Sequence, residues 1–178
     1  MRKKGKGTDL RNQILKSEAR KLAHRTVSND PDAQEAGVQG SALKLEPITS
    51  EAINACHSWE EKLLYPWHRV PDWKRRDAKG LDIAIWHREV LCGLCYATPR
   101  KSTVRLKIVL LQGSPDHTHP LRGWVASIAL LTTEFYARML DCNQIEVQEP
   151  EAGAIPYYLK LGFSFDAARR LVISLDAP

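Results

Sequence analysis

Val104-Arg-Leu-Lys-Ile-Val-Leu-Leu111, followed after a loop by Arg122-Gly-Trp-Val-Ala-Ser-Ile-Ala-Leu-Leu131, is the stretch that decides how this 178-residue chain folds. The first run alternates apolar and polar residues and then becomes wholly apolar, which is the pattern of a central strand covered on both faces. A loop rich in Pro, Asp and His, Gln112 to Leu121, separates it from the second run. There Ile128, Leu131, Phe135 and Met139 recur at three- and four-residue spacing, so a long helix is expected from about Gly123 to Asp141.

Outward from this pair, Gln144 to Gln148 reads as the next strand. Ala152 to Leu161 reads as a helix ended by Gly162, with Pro156 favouring a late start or a bend. Phe163–Phe165 and Arg170–Leu175 complete the C-terminal side as strands. On the N-terminal side, Leu81–Trp86 and Val90–Ala97 form two strands around a tight turn at His87-Arg88-Glu89. Residues 65–80 are aromatic, basic and irregular. Leu43–Ile48 is a short strand that Pro47 confines to an edge or a strand end, and Thr49 or Ser50 caps a helix through Ala52, Ile53, Cys56, Trp59 and Leu63. The expected order is β-α-(α)-β-β-β-α-β-α-β-β.

The net charge of +5 is unevenly spread. Nine Lys and Arg residues lie in residues 1–26 against Asp9 and Glu18, so this segment carries +7 and the remainder −2. Thr8 to Arg25 has a helical pattern, with Leu10, Ile14, Leu15, Ala19, Leu22 and Ala23 near one stripe. Residues 27–41 are dominated by turn formers and read as a linker. The expected division is therefore a basic helix and linker at 1–41, dispensable for folding, and a folded domain at 42–178. A basic tail suits contact with a polyanion, or serves as a solubilising arm. No apolar run approaches the ~18–20 residues that cross a bilayer. No apolar segment follows the basic N-terminus, and the four cysteines form no disulfide framework, so a reduced, cytoplasmic setting is expected. Cys92-Gly-Leu-Cys95 has CxxC spacing, but three-residue separation on a strand points the side chains to opposite faces, and no metal site is expected.

The strand 104–111, the run Arg122–Leu131 and the segment Tyr158-Leu-Lys-Leu-Gly-Phe163 together resemble the GNAT superfamily of N-acetyltransferases. Those enzymes place a central strand before an Arg/Gln-x-x-Gly-x-Gly/Ala turn at a helix start and later carry a segment like Tyr-Glu-Lys-Leu-Gly-Phe. The resemblance covers residues 42–176 in element order and is sharp over 104–165. It implies a mixed central sheet flanked by helices and acetyl-CoA as co-substrate. The coenzyme diphosphate would lie on Arg122, Gly123, Trp124, Val125, Ala126 and Ser127, where free helix N–H groups and the helix dipole favour an anion. The pantetheine arm would run along Val109, Leu110 and Leu111, between strands splayed at Lys107–Leu111 and Gln144–Gln148. Tyr158 would protonate the departing thiolate, with adjacent Tyr157 as the competing candidate.

Two positions depart from that pattern. Val125 stands where the first motif glycine is usual, and Ser127 where the second Gly or Ala is usual. A β-branched side chain there opposes close approach of phosphate. Two readings follow: an N-acyltransferase acting on an amine, or a degenerate GNAT-fold module binding a protein or nucleic acid. The acceptor stays open among small amines, protein amines and aminoacyl-tRNA. Asp116, His117, His119, Glu146 and Glu149 are all candidates for a general base.

Overall fold

The computed structural model describes residues 6–175. Helices α1 (Lys6–Ser28) and α2 (Pro31–Glu35) precede β1 (Leu43–Glu46), α3 (Ser50–Cys56), α4 (Val70–Arg76), β2 (Leu81–His87), β3 (Val90–Thr98), β4 (Arg105–Gly113), α5 (Val125–Met139), β5 (Gln144–Val147), α6 (Ile155–Lys160), β6 (Ser164–Phe165) and β7 (Leu171–Ser174). Short 3₁₀ turns at His57–Lys62, Trp67–Arg69 and Ala152–Ala154 link them. The seven strands form one sheet in the order β1-β2-β3-β4-β5-β7-β6. Only β4 and β5 run parallel, joined by the crossover helix α5. The expected mixed sheet flanked by helices is present.

Every residue of β2 is buried because both faces are covered. Leu81, Ile83 and Ile85 join the core beneath α5 and α1, whereas Ala84 and Trp86 join a second core beneath α3 and α4. Helix α5 turns about one position from the expected stripe. Val125, Ile128, Ala129, Thr132, Thr133, Tyr136 and Ala137 are buried, and Leu131, Phe135 and Met139 only flank the core. The buried threonines are compatible with this face because each hydroxyl donates back to the carbonyl four residues earlier, at 2.8 and 2.7 Å.

The first 41 residues differ most from expectation. Helix α1 packs on α5 and β1, and its buried stripe is Asn12, Lys16, Ala19, Arg20, Ala23 and Val27. Leu10 and Ile14 instead face outward, 62% and 52% exposed. The segment expected to be a linker contains α2, opened by Pro31 and by Asp30 accepting the Asp32 N–H, and it buries Ala33 and Val38 in the main core. The expected boundary at residue 42 therefore has no counterpart in the packing.

A carboxylate explains the shift of phase in α1. Asp82 of β2 is fully buried. The Arg20 guanidinium donates to the Asp82 carbonyl at 2.7 Å and to Oδ1 at 3.3 Å. Lys74 of α4 pairs with Oδ2 at 2.7 Å, and the Ile48 N–H donates to the same oxygen at 2.6 Å. Lys16 lies in the same buried cluster; burial lowers its pKa, and Asp82 opposes that shift. One acid thus ties α1, β2, α4 and the segment before α3.

Removing one partner of a buried pair leaves an uncompensated charge, which costs roughly 3–5 kcal/mol. Arg20→Ala should lower the unfolding free energy in urea by about 3 kcal/mol, toward the low end because Lys74 still pairs with Asp82. Arg11→Ala, on the exposed face, should change it by less than about 0.5 kcal/mol. A chain starting at Ser41 should lose cooperative unfolding; full cooperativity in that fragment would show that α1 is an appendage.

Candidate active site

Strands β4 and β5 pair from Arg105↔Gln144 to Ile108↔Val147, and the Gln148 N–H donates to the Ile108 carbonyl at 2.9 Å. Beyond that bond β4 continues to Gly113 while β5 has ended. Residues Leu110–Gly113 pair only with β3. Val109 is the extra residue of a β-bulge, because Tyr96 faces Leu110 while Ala97 faces Ile108. The bulge turns Leu110 toward the α3–α4 side, whereas Ile108 and Leu111 face the α5 side. The edge of β4 that faces β5 is thereby left without a strand partner beyond Ile108.

Helix α5 starts beside that edge. Trp124 is its N-cap and makes no side-chain capping bond, and the first helical bond described is from Ile128 N–H to the Trp124 carbonyl, 2.9 Å. The N–H groups of Val125, Ala126 and Ser127 are left without a protein acceptor among the described residues, as at any uncapped helix start. Gly123 sits just before with φ of +83°, a conformation that suits glycine. A cavity of about 270 Å³ lies there, lined by Leu111, Gly113, Gly123, Val125, Ala126 and Tyr157, with His119 beside them. The structure thus brings Gly123, Val125 and Ala126 of the motif together with Leu111 and Gly113 of β4. The Arg122 side chain is exposed and engages no partner among the described residues, and Trp124 is half-buried.

Val125 does not crowd this cavity in the expected way. Its methyl groups lie against the bare Cα of Gly93 in β3: a Cβ built on Gly93 would collide with Val125 Cγ1, and one on Gly113 would lie 3.8 Å from it. The glycine absent at position 125 is matched by a glycine beneath it. Ser127 turns toward α6, its hydroxyl 2.8 Å from the Tyr157 hydroxyl.

Tyr158 is 6% exposed, its ring edge-on to Phe163 at 5.5 Å and to Tyr157 at 5.9 Å. Burial, reinforced by Cys95, Tyr65 and Tyr157, raises its pKa above the ordinary tyrosine value. Its hydroxyl has no hydrogen-bond partner among the described residues. Pro156 sits in the first turn of α6, which starts late at Ile155, and Gly162 (φ +98°) follows its end.

Of the acid–base candidates, Glu146 is buried and shared between Arg105 (3.3 Å) and Lys107 (3.9 Å). Asp116 is exposed, and bonds from Thr118 hold its pKa down. Glu149, also exposed, follows the parting point with φ of +46°. Cys92 and Cys95 lie in the same core, not on opposite faces. Cys92 is itself a bulge residue, since Trp86 faces Leu91 and Ile85 faces Gly93. Burial pushes the Cys95 thiol up to about 12. Among the described residues no group of three or more His, Cys, Asp or Glu is placed to hold a metal.

Sequence patterns did not single out Gln112. Its Oε1 accepts from Trp67 Nε1 (3.0 Å) and Leu64 N–H (3.2 Å), and its Nε2 donates to the Lys62 carbonyl (2.8 Å). It pins the aromatic 62–67 segment over β4 opposite α5. The only signal in the sequence is a polar residue at the end of an apolar strand.

Gly93→Ala should destabilise the fold by about 1–3 kcal/mol through overpacking against Val125. Combining it with Val125→Gly should recover part of that loss. Additive losses in the double-mutant cycle would show that the two positions do not touch.

No family model matches the sequence, and no curated protein matches it. Solved structures do. Ard1 from Thermoplasma volcanium superposes with a TM-score of 0.60 at 12% identity, over 76% of this chain and 99% of that one. A structure from Desulfovibrio desulfuricans assigned to the GNAT family gives 0.59 at 11% identity, over 76% and 100%. The structure of yncA from Salmonella typhimurium, described with acetyl-CoA as its cofactor, gives 0.54 at 13%, over 77% and 96%. From its parted β4 and β5 to its crossover helix, this chain has the fold of the GNAT acetyltransferases.

Proposed function

We propose that the protein transfers an acyl group, most simply acetyl, from acyl-CoA to an amine. One observation carries the reading: the unpaired β4 edge after Ile108 and the uncapped start of α5 border one cavity. An extended amide-bearing arm can hydrogen-bond to such an edge as a further strand would. An anionic diphosphate can take the free N–H groups of Val125, Ala126 and Ser127 at the positive end of the helix dipole. Acetyl-CoA has both parts, and the residues present fit it. Val125 leans into the notch at Gly93, so the helix start stays open to phosphate. The yncA structure, of the same fold, holds acetyl-CoA.

In this reading the amine attacks the thioester carbonyl directly. The tetrahedral intermediate expels the thiolate, Tyr158 donates its phenolic proton to the sulfur, and the proton lost by the nitrogen passes to solvent, from which the phenol is restored. A phenol is protonated at neutral pH, and burial favours that neutral form further. Tyr157 holds the helix start through Ser127 and belongs to coenzyme binding. The amine enters through a second cavity, of about 670 Å³, which Ser114, Pro115 and Asp116 help line and where Glu60, Glu89 and Asp116 outnumber one lysine, Lys62. Carboxylates there suit a cationic acceptor.

Calorimetry with acetyl-CoA tests the reading. Saturable binding is expected, and no heat at millimolar acetyl-CoA would remove it. With an accepted amine in hand, Tyr158→Phe should lower kcat by about 10²–10⁴ while leaving coenzyme affinity nearly unchanged. Tyr157→Phe should instead weaken coenzyme binding. Full turnover in Tyr158→Phe would show that solvent protonates the thiolate.

A further inference from the structure

His119 lies at the same cavity, and no part of the motif assigns it a role. The ring is 9% exposed and lines the space beside Gly123, Val125 and Ala126. Its Nδ1 accepts the Leu121 N–H at 3.2 Å. An imidazole nitrogen that accepts carries no proton, so in the neutral ring the proton sits on Nε2. Burial, the largest influence, lowers the pKa of His119; Asp116 opposes this, and Arg122 and His117 act in the same direction as burial. Nε2 has no protein partner among the described residues and is not a sealed-off buried atom, so it is open to the cavity that the ring lines. The backbone on both sides of the ring is tied down: His119 N–H donates to the Asp116 carbonyl at 3.2 Å, and Arg122 N–H to the His119 carbonyl at 3.3 Å. A nine-tenths buried ring, fixed in tautomer and with its outer N–H free of any protein acceptor, therefore stands at a helix start whose own N–H groups also lack acceptors.

We propose that His119 is a diphosphate-binding residue, its Nε2–H donating to a phosphoryl oxygen of the coenzyme seated at the start of α5. This rests on the acyl-CoA reading above and adds a side-chain donor to it. Chemically it answers the departures at 125 and 127. Where a valine packs downward and a serine is held by Tyr157, the phosphate gains a rigid imidazole donor from the preceding loop. A hydrogen bond to a charged group is worth about 1.5–3 kcal/mol, so losing it should weaken binding by ten- to a hundredfold.

Two substitutions separate this role from simple support of the loop. His119→Asn places a carbonyl oxygen near the Nδ1 position, so it keeps the acceptor for Leu121 and loses the outer donor. His119→Gln places an amide N–H near the Nε2 position, so it keeps the donor and loses the acceptor. With the full chain and acetyl-CoA in a calorimeter, the proposal expects His119→Asn to bind at least about tenfold more weakly and His119→Gln within about threefold of the unmutated protein. The reverse order would assign His119 to holding the loop and would overturn the proposal. Equal affinity in all three proteins would overturn it too. Absence of binding by the unmutated protein would sink the acyl-CoA reading and this inference together, an outcome plainly different from binding that is indifferent to position 119.

Discussion

Past Ile108, strand β4 is held from one side only. A strand in the middle of a sheet normally spends both rows of its backbone groups on neighbours, and burying an unpaired row costs free energy. Here the second row opens onto a cavity instead of being buried. The constraint is met by β3, which pairs with β4 out to Gly93↔Gly113, and by the Val109 bulge, which re-aims Leu110 and Leu111 just as β5 falls away. Everything proposed about chemistry depends on that one-sided strand. Had β5 continued for another three residues, no edge and no cavity would exist.

The start of α5 is set against this edge by a contact between the missing side chain of Gly93 and the methyl groups of Val125. A valine as the first residue of a helix proposed to take a phosphate looks obstructive in isolation. In the structure its Cβ branch fills a depression in the sheet, and the helix N–H groups remain directed at the cavity. Ser127, Tyr157 and His119 then surround the same helix start, each fixed by a bond to a neighbour. Such mutual fixing is what lets a site hold its shape before a ligand arrives.

The N-terminal helix belongs to the same economy. A fully buried carboxylate, Asp82, is stable only with cations and N–H groups around it, and those come from α1, α4 and the segment before α3. Basic residues that look like a solvated arm in composition divide into two sets. Arg20 is an internal counter-ion and Lys16 is buried in the same cluster, while Arg11, Lys21 and Arg25 face outward.

Element order from Leu43 onward was legible, because the strand pattern of 104–111, the helix start at 122–131 and the Gly162 stop are local signals of period and backbone conformation. The turn of α6 at Pro156 was legible for the same reason. Local period could not place α1, since its buried face is partly polar: Arg20 faces inward to bond Asp82, 62 residues later in sequence, and Asn12 and Lys16 lie buried on the same face. Nor could it show that Cys92 and Cys95 share a face, or that Val125 is harmless, because each depends on a bulge or a bare glycine in another strand. Sequence by itself determined the order of strands and helices from Leu43 onward and that Arg122–Ser127 opens a helix. Tertiary structure alone decided where β4 leaves β5, what lies under Val125, and that His119 lines that opening with Nδ1 tied to Leu121. Those are relations between segments far apart in the chain, and burial and long-range hydrogen bonding set them, not propensity.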